Sequence, residues 1–220
     1  MTVLSEILDI TLRSLFVSGS AAVLATLLGI PFGITLALRK MKGKSILKGA
    51  VNSMMAIPTV ALGLILYLIF SNAGPLGFLH VLYSPFAIII GQAILILPII
   101  VSITTETIEN VDPSIRDLAM TLGADERGAV AAVLRESMGG IFLSVSAGFS
   151  RAISELGVAL MLGGNIEGLT RILTTSIALE TTRGEIALGV GLALVLLTIM
   201  LLFNVALRVA EKRVRWWLWE

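Results

Sequence analysis

The sequence contains no cysteine and only one histidine, His80. The first absence excludes a disulfide framework, a thiol nucleophile and a cysteine-based metal site. The second leaves no pair of imidazoles for a catalytic or metal site, and His80, beside Tyr83 and a proline-containing turn, reads as an interfacial polar residue. Charge is also scarce. Lys, Arg, Asp and Glu make up 14% of the 220 residues, against roughly a quarter in a soluble domain. The Gly-Lys-Ser/Thr that closes a phosphate-cradling loop is missing too, since Gly163-Gly164 is followed by Asn165, so no nucleotide site is expected on this chain. The net charge of +1 carries no information about nucleic acid, and none is expected as a partner.

Long apolar runs take the place of all this. Hydrophobic residues make up 56% of the chain and the mean hydropathy is +0.98, the composition of a polytopic, all-helical membrane protein. Leu15 to Leu38 holds 24 residues without a charge, about 36 Å as a helix, and so reads as a retained span rather than a cleaved signal. Along it Ala21, Ala25, Gly29, Gly33 and Ala37 recur every fourth residue, a stripe that lets another helix approach closely. No charge appears from Gly49 to Thr105. The turn residues at 71–75 and 84–85 divide that stretch into spans at 49–70 and 86–105. A fourth span is expected at 138–162 and a fifth at 186–207, with 169–180 too short to cross and read as a surface or re-entrant helix. Pro31, Pro58 and Pro98 each fall inside a span, which predicts three bent helices.

Orientation follows from Lys and Arg. The 39–48 loop, the polar 106–136 loop and the tail from Arg208 carry twelve of the sixteen basic residues, which places all three in the cytoplasm, the N-terminus outside and the C-terminus inside. Trp216, Trp217 and Trp219 suit the membrane interface, and the short tail is expected to carry no further domain. The whole chain is thus one membrane domain of five spans.

The 106–136 loop must sit in water. Asp112 is placed to cap a helix with Pro113 at its first position. Ile115, Leu118, Ala119 and Leu122 then share an apolar face, Gly123 closes the helix in a left-handed conformation, and Asp125 starts a second one. Two further groups stand out. Arg151 and Glu155 lie four apart inside the fourth span and can pair on one helix face, either as a self-neutralising internal ion pair or as part of a pathway. Asn165, Thr175 and neighbouring hydroxyls around 163–182 offer neutral donors to an anion or, equally, act as loop caps.

Asp117-Leu118-Ala119 followed by Gly123 resembles the EAA loop of bacterial ABC importer permeases, with Asp in place of Glu and Leu in place of the first Ala. The segments Ile57-Pro58-Thr59-Val60-Ala61-Leu62-Gly63, Arg151 to Gly157, Gly163 to Ile166 and Thr170 to Thr175 resemble permeases of the molybdate and tungstate group, most closely the tungstate type. The resemblance runs from about Leu15 to Leu207. It implies a homodimer in the cytoplasmic membrane of a prokaryote, moving an oxyanion by alternating access. ATP and Mg would be held by partner ATPase subunits, no cofactor by this chain, and an extracytoplasmic binding protein would deliver the anion. It further implies coupling through Ile115, Asp117, Leu118, Ala119, Leu122 and Gly123. The pathway candidates are Pro58, Thr59, Arg151, Glu155, Asn165 and Thr175. A molybdate or sulfate importer is the alternative. A gradient-driven transporter is the remoter one, since it has no use for the cytoplasmic helical hairpin. An intramembrane enzyme lacks the side chains it would need.

Overall fold

The computed structural model describes residues 3–39 and 41–219, with side-chain surroundings for 5–39 and 41–214. Lys40 and the expected interfacial side chains of Trp216, Trp217 and Trp219 lie outside them. Among the described residues the chain is helical, with ten α-helices, one short 3-10 turn at Gly77–Leu79 and no strand. Three helices are each long and apolar enough to cross a membrane: α1 (Val3–Leu38), α4 (Pro85–Glu109) and α10 (Ile186–Trp219). Counting the bent pairs α2–α3 and α6–α7 as one span each raises the number to five.

The bundle is built around α4. Ser84 caps it by accepting the Ala87 N–H, Pro85 occupies the first turn, and Ile88, Ile96 and Ile100 are wholly enclosed. The small-residue stripe of α1 lies along it as expected. Gly29 stands against Ile100, Gly33 against Thr104, and the Thr105 hydroxyl donates to the Gly33 carbonyl at 3.2 Å. The two helices therefore run parallel, and residue n of α1 sits beside residue n + 71 of α4.

The second span departs from a straight helix. α2 (Lys44–Met54) and α3 (Thr59–Phe70) meet at 96°. Pro58 has no N–H to continue the helix and sits in an extended conformation, φ −60° and ψ 127°, while Met55 to Ile57 close as tight turns onto Asn52, Ser53 and Met54. Pro31 and Pro98, by contrast, lie inside helices that run on unbroken. Only one of the three prolines interrupts its element.

The fourth span is interrupted as well. α7 (Met138–Ile153) stops, three residues intervene, and α8 (Gly157–Gly163) follows. Both run antiparallel to α4, since Gly140 meets Thr107, Ser144 meets Thr104, Gly148 meets Ile100 and Gly163 meets Ile88. α10 is antiparallel to α7, tied by Asn204, which shares a close hydrogen bond with Ser146 and donates to Ser150 at 3.2 Å. It continues as one helix beyond the predicted end at 207. The short α9 (Leu173–Arg183) begins four residues later than the predicted 169 and packs with Ile10 of α1 and Leu192 of α10.

Candidate functional site

Two places in this fold carry the sequence-predicted residues. The first is the hairpin of α5 (Pro113–Thr121) and α6 (Glu126–Glu136), at the end of the bundle where α4 stops. The Asp112 carboxylate accepts the Ser114 N–H at 2.8 Å, and this bond holds its pKa below the ordinary carboxylate value. At the other end Gly123 adopts φ +91°. Its N–H reaches the Met120 carbonyl and that of Ala124 reaches Ala119, each at 3.0 Å, a pair of bonds that closes the helix and turns the chain. Asp125 then caps α6 through the Gly128 N–H at 2.8 Å, and Arg116 bridges to both carboxylate oxygens of Glu126. Local sequence thus fixes α5 at both ends.

What α5 does not do is bury itself. None of its residues is enclosed. Leu118 is 61% exposed and Leu122 78%, Met120 lies open beside them, and Ile115 and Ala119 are half-buried. An apolar face held out on a polar loop marks an interaction surface rather than a core element. The same end of the molecule carries the basic segments. Lys44 pairs with Glu109 at 2.9 Å, Lys48 closes on the same carboxylate, and Gly139 at the start of α7 stands beside Glu211 of α10.

The second place is halfway along α4, where the two broken helices meet. A Cβ on Gly157 would come within 2.7 Å of the Thr59 hydroxyl and 3.0 Å of the Val60 nitrogen, so the start of α8 lies directly on the start of α3. Glu155, in the break, is 2% exposed. Its carboxylate takes a 2.6 Å ion pair from Arg151 and the Val158 N–H at 3.1 Å, and its carbonyl accepts the Thr174 hydroxyl at 2.8 Å. Arg151 itself is 36% exposed and uses one guanidinium nitrogen for this pair. An ionised side chain at such a depth costs roughly 2.5–3.5 kcal/mol on insertion scales, so the ion pair and the capped helix end both offset an otherwise unfavourable placement.

Of the predicted pathway residues, the structure brings Pro58, Thr59, Arg151 and Glu155 to this junction. Asn165 stays at the turn after α8, with φ +52° and Gly164 packed under the Tyr83 ring. Thr175 is adjacent to Thr174 but fully enclosed, its hydroxyl exchanging hydrogen bonds with the Ile172 backbone at 3.0 Å. It caps α9. Within the 169–180 stretch read as a surface or re-entrant helix, Thr170 to Ser176 are enclosed.

Sequence reasoning missed Gln92. It is completely enclosed, and neither its amide oxygen nor its amide nitrogen has a partner. Ile88 and Ile96, one turn to either side, face Gly163 and Gly148, so Gln92 faces the α7–α8 break between them. The available signal was a lone amide inside the otherwise uncharged apolar run from 86 to 105. Gly157, which lets the two broken helices touch, stood in the sequence only as the end of the Arg151–Gly157 segment.

A membrane bundle with an outlying apolar helix on a polar loop defines a transport permease built to work with a partner. The chain belongs to the family of binding-protein-dependent transport system inner membrane components, which it matches over residues 29–216. It is similar to the tungstate uptake system permease protein TupB of Peptoclostridium acidaminophilum, at 37% identity over 90% of this chain and 87% of that protein. A probable anion ABC transporter permease protein of Haloferax volcanii is 36% identical over 91% and 89%. The molybdenum transport system permease protein ModB of Haemophilus influenzae is 27% identical over 69% and 72%. The chain is an ABC transporter permease, a membrane-embedded transport subunit.

Proposed function

We propose that this permease carries a tetrahedral oxyanion, tungstate foremost, into the cell by alternating access, as a homodimer in the cytoplasmic membrane served by two ATPase subunits and an extracytoplasmic binding protein. The observation that carries the reading is α5, an apolar face fixed at both ends by its own sequence and left exposed among the described residues. A groove on an ATPase is the partner that an exposed loop helix of an ABC permease fits. The anion comes from the relatives, whose names specify tungstate, an unspecified anion and molybdenum; molybdate is therefore the second reading.

The helix directions are compatible with the N-terminus outside and the α5–α6 hairpin inside, because α1, α4 and α10 run one way and α7 and α8 the other. ATP binding on the partners would draw the two α5 helices together and tilt the packed helices as rigid bodies. A gradient-driven transporter would leave Leu118 and Leu122 without a purpose. Copurification tests the reading: the tagged permease, expressed with its neighbours, retains an ATP-hydrolysing subunit, and the Leu118→Asp/Leu122→Asp variant loses it. An equally abundant ATPase in both preparations, or none in either, would refute the assignment of α5.

A further inference from the structure

We propose that Arg151 is the mid-membrane anion contact of the pathway, facing a space that two copies of this chain share, with Glu155 serving as its counter-ion between passages. The proposal rests on the oxyanion-importer reading above and adds the site and its chemistry. Depth comes first. Gly148 lies at the level of Ile100 and Ile96, and Gly163 at that of Ile88. Arg151, between them, therefore stands near the middle of the 25-residue helix α4. No other lysine or arginine of the described residues holds that level: Arg13 and Arg171 meet at the start of the bundle, and Lys44 and Lys48 close on Glu109 at its end.

The pair is asymmetric. Glu155 is sealed inside, whereas the Arg151 side chain is 36% exposed and engages its partner through one guanidinium nitrogen. A partly exposed arginine at that depth does not face hydrocarbon; such groups face a bundle interior or a water-filled cavity. The Arg151 side chain is left partly open in this chain, and in the homodimer proposed above a second copy closes that space. A guanidinium presents five N–H donors in a planar fork that fits paired oxygens of an oxyanion. Two copies then offer two positive charges to one dianion. Glu155 keeps the contact reversible, because a carboxylate one turn away competes for the same cation and prevents the anion from being retained, as conduction requires. The enclosed, unpartnered amide of Gln92 faces the same break. The junction therefore holds hydrogen-bonding capacity that its present geometry does not use.

The lack of native cysteine makes the test direct. Arg151→Cys is reconstituted with the partner ATPase and binding protein and treated with 2-aminoethyl or 2-sulfonatoethyl methanethiosulfonate, with the treated wild type as control. The expected result is tungstate uptake at least tenfold below wild type with stimulation of ATP hydrolysis retained. The cationic reagent should restore a third or more of the uptake, the anionic reagent none, and tungstate should slow the labelling. Uptake within twofold of wild type before labelling, or equal effects of the two reagents, overturns the proposal. If Arg151→Cys does not assemble, Arg151→Lys decides: uptake three- to tenfold slower at unchanged ATP hydrolysis supports the fork geometry, and wild-type uptake overturns it. Failure of the loaded binding protein to stimulate the wild-type complex would instead count against the importer reading itself.

Discussion

At the scale of single residues, close helix contact is made where side chains are missing or small. A Cβ at Gly33 would meet Thr104 at 2.9 Å and the Val101 carbonyl at 3.1 Å, so backbone and not just a flexible side chain would have to move. Gly33→Val is expected to destabilise the α1–α4 contact by about 1–3 kcal/mol. A detergent-solubilised variant that melts at the wild-type temperature would contradict that packing. Gln92 works in the opposite direction. An enclosed amide with no partner is unfavourable to folding, and Gln92→Met, similar in length and apolar, should raise the apparent melting temperature by roughly 2–4 °C. A lower melting point would show that the amide has found a partner in the assembled protein.

At the scale of elements, α5 shows how a short helix can be fixed without burial. Its start depends on Asp112, whose pKa is lowered by the bond from Ser114. A lowered carboxylate contributes its stabilisation above the ordinary carboxylate pKa and loses it as pH falls through the folded-state value. Exchange of the Ser114 amide should therefore speed up in strong acid beyond its intrinsic pH trend, and Asp112→Ala should show the faster exchange already at neutral pH. The far end depends on Gly123. At φ +91° no proline fits, so Gly123→Pro should misdirect α6, leave the protein in the membrane and reduce transport at least tenfold per ATP hydrolysed. Normal coupling in that variant would mean that the turn has no mechanical role. The exposed Arg116–Glu126 bridge is expected to matter much less, by no more than about 1 kcal/mol.

At the scale of the whole molecule, the long spans and the hairpin were legible because each is written in local chemistry: uncharged runs of membrane length, a small-residue stripe, an Asp-Pro start and a glycine stop. The breaks were not. Three prolines carry the same local signal, yet only Pro58 interrupts its helix, a difference the proline itself does not encode. The α7–α8 break has no proline at all; Glu155 holds it by bonding Arg151 and Val158 locally and Thr174, nineteen residues on, once the bundle has packed. For the same reason Arg151 and Glu155 could be paired from their spacing, while Thr59 and Gly157, nearly a hundred residues apart, could not be brought together. For Thr175 the sequence left an anion donor and a cap equally open, because its hydroxyl gives no hint that the Ile172 backbone would occupy it. The central claim, a permease driven by partner ATPases to import an oxyanion, is tested most directly by one measurement. The complex of permease and copurifying ATPase is reconstituted in proteoliposomes, and ATP hydrolysis is followed with its binding protein loaded with tungstate, molybdate or sulfate. Severalfold stimulation by the tungstate-loaded protein above the other two is the result predicted here. Hydrolysis indifferent to every loaded form, or no ATPase recovered with the chain, would contradict it.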